Sequence, residues 1–229
     1  MSTALIVFAK APVAGLAKTR LIPALGAAGA AALAERLLVH AVEAAVAAGF
    51  DTVELCITPD AGHPLFRQLQ QRHGLRLAAQ GDGKLGARMQ RALARALQTH
   101  DRALLIGSDL PGLDAACLRS AAAALADHDA VFVPALDGGY GLVGLRRPAP
   151  QLFDGLRWST PQVMQHTRER AAAAGLRVAE LAPLPDIDRP ADLAHLPAHW
   201  LQADARRDAW RAHPERRRPT MSPIRSRPG

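Results

Sequence analysis

The chemistry of this chain concentrates in a few short stretches, the first being FAKAPVAGLAKTR (8–20). It carries three cations, Lys10, Lys18 and Arg20, within eleven residues, together with one glycine, Gly15. A basic loop of this kind suits a phosphate-bearing ligand, which lysine and arginine hold through charge-assisted hydrogen bonds. A P-loop is excluded. That motif needs glycine directly before its lysine and again five residues earlier, where this chain has Ala17 and Pro12. Of 28 cationic side chains only three are lysines, Lys10, Lys18 and Lys84, and all three fall in loops where a ligand is expected.

A second stretch, QGDGKLG (80–86), is a G-x-G-x-x-G run between a strand and a helix. Its glycines, Gly81, Gly83 and Gly86, would let a nucleotide approach the backbone. As a dinucleotide fingerprint it is displaced, since it follows the third strand rather than the first. The acid that should close the next strand is Asp109, 23 residues past Gly86. A nicotinamide-dependent dehydrogenase is therefore a distant alternative.

Acids form the third group. Asp109 follows the apolar run Leu104-Leu105-Ile106, and such a carboxylate either shapes a turn or binds metal. DIDRPADL (186–193) adds acid beyond the last strand. Magnesium takes one or two protein carboxylates plus phosphate oxygens, and Asp109 with Asp188 would supply that pair. Two carboxylates brought close together repel unless a cation lies between them. The other D-x-D, Asp127-His128-Asp129, precedes a strand and belongs to the opposite sheet edge. Asp137-Gly138-Gly139-Tyr140 reads as a glycine turn that also leaves Asp137 in a cleft, as a candidate general base. In Trp158-Ser159-Thr160, Ser159 or Thr160 is the default helix N-cap. His63, His128, His166 and His213 have no ligand spacing and read as surface or packing residues.

Short apolar runs alternate with alanine-rich helical patterns. Strands are expected at 4–9, 52–58, 75–79, 103–106, 130–133, 142–145 and 176–181. Helices are expected at 27–48, 63–73, 86–98, 114–126 and 160–174, with a last one reaching about Arg211. This alternation implies a three-layer αβα sandwich on a mostly parallel, Rossmann-like sheet. The pair 130–145 is the exception, and its short connection suits a hairpin at the sheet edge. In such sheets ligands bind beyond the carboxyl ends of the strands, where all the loops above begin.

Composition bounds the rest. The 229 residues suffice for one domain of ordinary size, and alanine, at 48 residues, supplies nearly half of the 49% hydrophobic fraction. Aromatics are 4%, which disfavours a stacking surface for nucleic acid. Cys56 and Cys117 form no C-x-x-C pair, so a zinc knuckle and a disulfide framework are disfavoured. No uninterrupted apolar run reaches 18 residues, which argues against a membrane span, and the first apolar run is too short for a signal peptide. A cytoplasmic protein is expected. The net charge of +7 divides unevenly: residues 201–229 hold eight arginines and three acids, a net of +5, and residues 1–200 a net of +2. The expected organisation is a domain over 1–200 followed by a basic, solvated, disordered tail over 201–229.

Six segments in this order carry a resemblance: FAKAPVAGLAKTRL (8–21), QGDGKLGARM (80–89), IGSDLPGL (106–113), PALDGGYGLVGL (134–145), LFDGLRWSTPQV (152–163) and DIDRPADL (186–193). Together they resemble a bacterial family first known as a domain of unknown function, the radical-SAM/selenodomain-associated, arsenosugar-type transferases. That family is similar to the nucleotide-diphospho-sugar transferases of the glycosyltransferase A fold. The resemblance spans about residues 3–196. It implies a nucleotide-sugar donor, a small-molecule acceptor and a divalent metal, magnesium or manganese, held by Asp109 and Asp188. It places donor phosphates on Gly15, Lys18 and Arg20, with Lys10 beside them, and the nucleobase on Gln80, Gly81 and Gly86. Arg88 and Ser108, in the same motifs, complete the expected nucleotide site. Lys18 and Asp137 are the expected catalytic groups, and Gly138, Gly139, Tyr140, Trp158, Ser159 and Thr160 the substrate-binding set. This chain differs from related sequences at Arg189, where threonine is frequent, at Phe132-Val133-Pro134 and at Gly141. A nucleotidyltransferase, which attacks a nucleoside triphosphate on the same fold, is the nearest alternative, and a non-catalytic nucleotide-binding protein a further one. No nucleic acid or membrane partner is expected.

Overall fold

The computed structural model describes residues 1–197 and Trp200. Seven strands form one sheet: β1 (Thr3–Lys10), β2 (Thr52–Thr58), β3 (Arg76–Ala79), β4 (Arg102–Ile106), β5 (Ala130–Pro134), β6 (Tyr140–Leu145) and β7 (Val178–Glu180). Their order is β3-β2-β1-β4-β6-β5-β7, and only β6 runs antiparallel to its neighbours. The α-helices among the described residues are α1 (Ile22–Ala47), α2 (Pro64–His73), α3 (Leu85–Ala96), α4 (Ala115–Ala124) and α5 (Val163–Ala173). All of this lies within one unit, Met1–His195.

The sheet is buried on both faces, which is why its strands read as nearly unbroken apolar runs. Alternate residues enter two separate cores. Leu5 and Val7 of β1, Leu104 and Ile106 of β4, and Val131 and Val133 of β5 pack with residues of α1, α2 and α4. Ile6, Ala103, Leu105, Ala130 and Phe132 pack on the other face with residues of α3 and α5. The expected αβα sandwich is therefore the observed architecture.

Local signals explain most boundaries. Asp114 caps α4, its carboxylate accepting from Cys117 N at 2.8 Å. Gly74 ends α2 in the left-handed region at φ 66°. Two expectations need correction. The hairpin β5–β6 is inside the sheet and β7 takes the edge, because β5 pairs parallel with β7 on its far side. The main part of α1 follows Gly26, as expected from residue 27; Gly26, at φ 69° and ψ 167°, separates it from a short helical turn that begins at Ile22. The last core helix begins at Val163, with neither Ser159 nor Thr160 as its cap. Ser159 is left-handed at φ 60°, and the Thr160 hydroxyl donates to Arg157 O at 3.1 Å.

By length and composition the segment Thr19–Ala47 could cross a membrane. Here Leu37, Leu38, Val42 and Ala45 of that helix are buried in the protein, Leu38, Val42 and Ala45 within the core on one face of the sheet. The expected last helix to Arg211 and the tail 201–229 lie outside the described residues.

Candidate active site

A cleft of about 950 Å³ opens along the carboxyl edge of the parallel strands. Its walls come from the ends of β1, β2 and β3, the loop after β4, the β5–β6 turn, the segment 158–163 and the loop after β7. The sheet order reverses between β1 and β4, so the loops after these two strands diverge and leave a crevice between them.

The first loop is tied down by its own backbone. Ala11 N donates to Thr58 O at 2.9 Å, and Ala17 N to Val13 O at 2.9 Å. Lys10 spends its ammonium on Leu16 O at 2.8 Å, closing the loop on itself. Lys18 stands in the left-handed region at φ 47°, a conformation that non-glycine residues keep only when their surroundings impose it. Its side chain is 7% exposed, and Nζ lies 2.8 Å from Asp109 Oδ1 and 2.5 Å from Ile187 O. The lysine thus bridges three loops. Ile187 N reinforces the bridge by donating to Asp109 O at 2.9 Å. Beside it, Arg20 pairs with Asp188.

These contacts change the reading of the acids. Asp109 and Asp188 do share the cleft, but they do not face one another unmatched: each holds a cation of the first loop. Neither partner is local in sequence, so spacing could not reveal it. Asp186, which sequence reasoning passed over, also lines the cleft and holds no cation among the described residues. Burial first, then the charges of Asp137, Asp192 and Asp188, push its carboxyl above the ordinary range. Asp192 caps the turn that follows, accepting from Asp188 N at 3.0 Å and Arg189 N at 2.6 Å. Asp186 and Asp192 sit two and four residues from Asp188, so acid density was the available signal. Thr19 and His195 also line the cleft.

The glycine-rich loop behaves differently from its expected role. Gln80 is 6% exposed, and its amide Nε2 donates to Ala9 O at 3.2 Å and Cys56 O at 3.1 Å, stitching β1 to β2. Only its carbonyl oxygen is left for a ligand. Arg91 holds Gln80 O and Asp82 O from beneath, and a Cβ on Gly81 would lie 2.6 Å from that guanidinium. Arg88 donates to Gly83 O at 2.7 Å and does not line the cleft. Gly86 makes room for Trp158, whose Nε1 would be 2.7 Å from an added Cβ. Gly15, Gly81, Gly86, Arg88 and Gly138 belong to the segments around the cleft and do not line it.

Across the cleft, Asp137 Oδ1 accepts from Gly139 N at 2.8 Å, the turn geometry expected of aspartate there, while the residue stays exposed in the cleft. Tyr140 opens β6. Its ring meets Phe132 edge-on at 5.0 Å and Trp158 at 6.1 Å. Its hydroxyl is buried with no hydrogen-bond partner among the described residues, and burial raises its pKa, so it is neutral. Gly141 is small because Leu110 fills its space: a Cβ there would lie 2.3 Å from Leu110 Cδ2. Leu16, Leu85 and Leu136, 61%, 43% and 61% exposed, form an apolar rim that sequence reasoning missed. Lys10, Lys18, Arg20, Gln80, Ser108, Asp109, Asp137, Gly139, Tyr140, Trp158, Ser159, Thr160 and Asp188 all line this one cleft as expected.

This fold, a mostly parallel sheet with helices on both faces, is shared with solved structures of nucleotide-utilising transferases. The chain belongs to a bacterial family described as "Uncharacterized protein conserved in bacteria (DUF2064)", whose profile matches residues 39–160. It is similar to the crystal structure of a presumed nucleotide-diphospho-sugar transferase from Desulfovibrio desulfuricans, with 34% identity over 84% of this chain and 85% of that one, at a TM-score of 0.77. Similarity of fold alone extends to a CMP-2-keto-3-deoxy-manno-octonic acid synthetase complexed with CTP. There identity is 17% over 89% of this chain and all of the other, at a TM-score of 0.57. It extends also to a manganese complex of Rv0371c from Mycobacterium tuberculosis, with 18% identity over 86% and 98% of the two chains and a TM-score of 0.53. No curated protein matches the chain.

Proposed function

We propose that this protein is a nucleotide-utilising transferase that takes a nucleotide-sugar donor and glycosylates a small-molecule acceptor. The observation that carries the reading is the paired set Lys18–Asp109 and Arg20–Asp188, set at the sheet's reversal point in a cleft large enough for donor and acceptor together. The similar protein from Desulfovibrio desulfuricans supports it, as does the resemblance to arsenosugar-type transferases.

A divalent ion belongs to this reading. Among the described residues no three His, Cys, Asp or Glu side chains cluster tightly enough to hold a metal by themselves. Two carboxylates fit magnesium or manganese only in the company of substrate phosphate oxygens, which is how magnesium usually binds. Asp109 and Asp188 would hold it, and it would supply neutralisation of the leaving diphosphate. Lys10, Thr19 and Ser108 line the same side and would orient the phosphates. Gln80 would offer its carbonyl oxygen to the base. Asp137 keeps a free carboxylate oxygen on the acceptor side, positioned for proton removal. The reading also implies a cytoplasmic setting, in which nucleotide donors are made and free thiols such as Cys56 persist.

The test is a thermal-shift and calorimetric panel of ADP, CDP, GDP and UDP and the corresponding triphosphates, each with and without Mn2+. Tighter binding of a diphosphate with metal, and release of nucleoside diphosphate in turnover, are expected; release of pyrophosphate would assign nucleotidyl transfer instead. Asp109→Asn should abolish the metal enhancement and lower the rate roughly a hundredfold or more, the scale of losing one main electrostatic stabiliser. Equal enhancement in both proteins would return Asp109 to a turn-forming role.

A further inference from the structure

We infer that Lys18 and Arg20 are place-holding cations, which occupy the two candidate metal carboxylates until a metal and a diphosphate arrive together. The inference rests on the functional reading above and concerns what these residues do before ligand binds. The four side chains come from three loops and form two matched pairs, so the ligand-free site carries no net charge on this set. Lys18 is fixed hardest: its side chain is 7% exposed, and two of its three ammonium donors are spent, on Asp109 and on Ile187 O.

Each ligand alone meets a cost. A divalent ion approaching Asp109 or Asp188 finds the carboxylate charge already matched and a cation within a few ångströms, which repels it. A diphosphate that draws Lys18 away would leave the Asp109 carboxylate, 47% exposed, without its cation and close to the phosphate charge, which repels it. Arriving together they remove both costs: the carboxylates turn to the ion, and the ammonium and guanidinium turn to the phosphates. For the diphosphate of a nucleotide sugar, which carries two negative charges, the set is matched at both ends of the exchange; a free nucleoside diphosphate adds one further charge. The two ligands must therefore strengthen one another, and by the same factor in each direction. Lys18 is on this account a positioning residue for Asp109 in the free protein and a phosphate ligand in the complex.

The experiment is titration of Mn2+, followed by its electron paramagnetic resonance signal, into the full chain alone and with ADP, CDP, GDP or UDP. The parent protein should bind Mn2+ at least about tenfold more tightly when its diphosphate is present. Lys18→Met, which keeps the length but removes the charge, should bind Mn2+ alone about threefold or more tighter than the parent, with a smaller gain from nucleotide. Arg20→Gln should move the same way; its side chain is 59% exposed, so it tests the idea even if the buried lysine proves necessary for folding. Unchanged or weaker Mn2+ binding in both variants, with the parent still coupled, overturns the place-holding role and leaves the functional reading standing. A parent that binds no metal with any of the four nucleotides overturns both.

Discussion

At the scale of single residues, glycine carries two unlike meanings here, and a sequence shows only one letter for both. Gly15, at φ +82°, has open space where a Cβ would go. Gly138, at φ +91°, has Pro161 O at 2.0 Å from that point, and its own carbonyl accepts from Met164 N at 2.9 Å. Gly15→Ala should therefore cost only backbone strain, about 1 kcal/mol. Gly138→Ala adds a clash that must move the 158–163 segment, and should cost roughly 3 kcal/mol or more. Denaturant unfolding of the two variants measures the difference, and equal losses would contradict the close approach. The same blindness limits what residue type and spacing say of the site. G-x-G-x-x-G spacing is compatible with a nucleotide or with an indole, and only the fold shows that Gly86 faces Trp158. Lys18 and Asp109 could each be singled out by type and place, but their pairing joins positions 91 residues apart.

Elements were legible where burial acts on a run of neighbours, as in β1, β4 and β5, whose two covered faces leave no polar alternation. Strand order was not, because β5 pairs with β7 through a connection that no local pattern encodes. One rule of assembly does repeat at the amino edge of the sheet. Asp51, just before β2, accepts from Thr3 N at 2.7 Å; Asp101, just before β4, accepts from Ser2 N at 2.7 Å; Asp129, just before β5, accepts from Arg177 N at 2.9 Å. Each aspartate thus satisfies an amide at the start of a neighbouring chain segment. Those backbone hydrogen bonds hold all three carboxyls below their ordinary 3.8. A carboxyl whose folded pKa is depressed contributes stability above its unfolded pKa and loses it as pH falls through the folded value. Thermal midpoints should therefore fall as pH drops below about 4, and fall less steeply in an Asp51→Asn/Asp101→Asn/Asp129→Asn variant. Parallel curves would show that the three caps do not report on folding.

For the whole molecule, charge is unevenly divided. Among the described residues, both cores and the lining of the cleft fall within 1–195, and 201–229 hold eight of the 25 arginines. Deleting residues 201–229 should leave the thermal midpoint and nucleotide binding unchanged. A fall of several degrees would give that segment a packed role. The division also bears on the lysines. With Lys10 and Lys18 in the wall of the cleft and Lys84 at the start of α3, next to cleft-lining Leu85, all three lysines stand at the ligand edge. Lys18 is 7% exposed and paired with Asp109, so a reagent that acylates lysine, whether a fluorescent label, a cross-linker or an activated resin, attaches at Lys10 and Lys84, beside the mouth of the site.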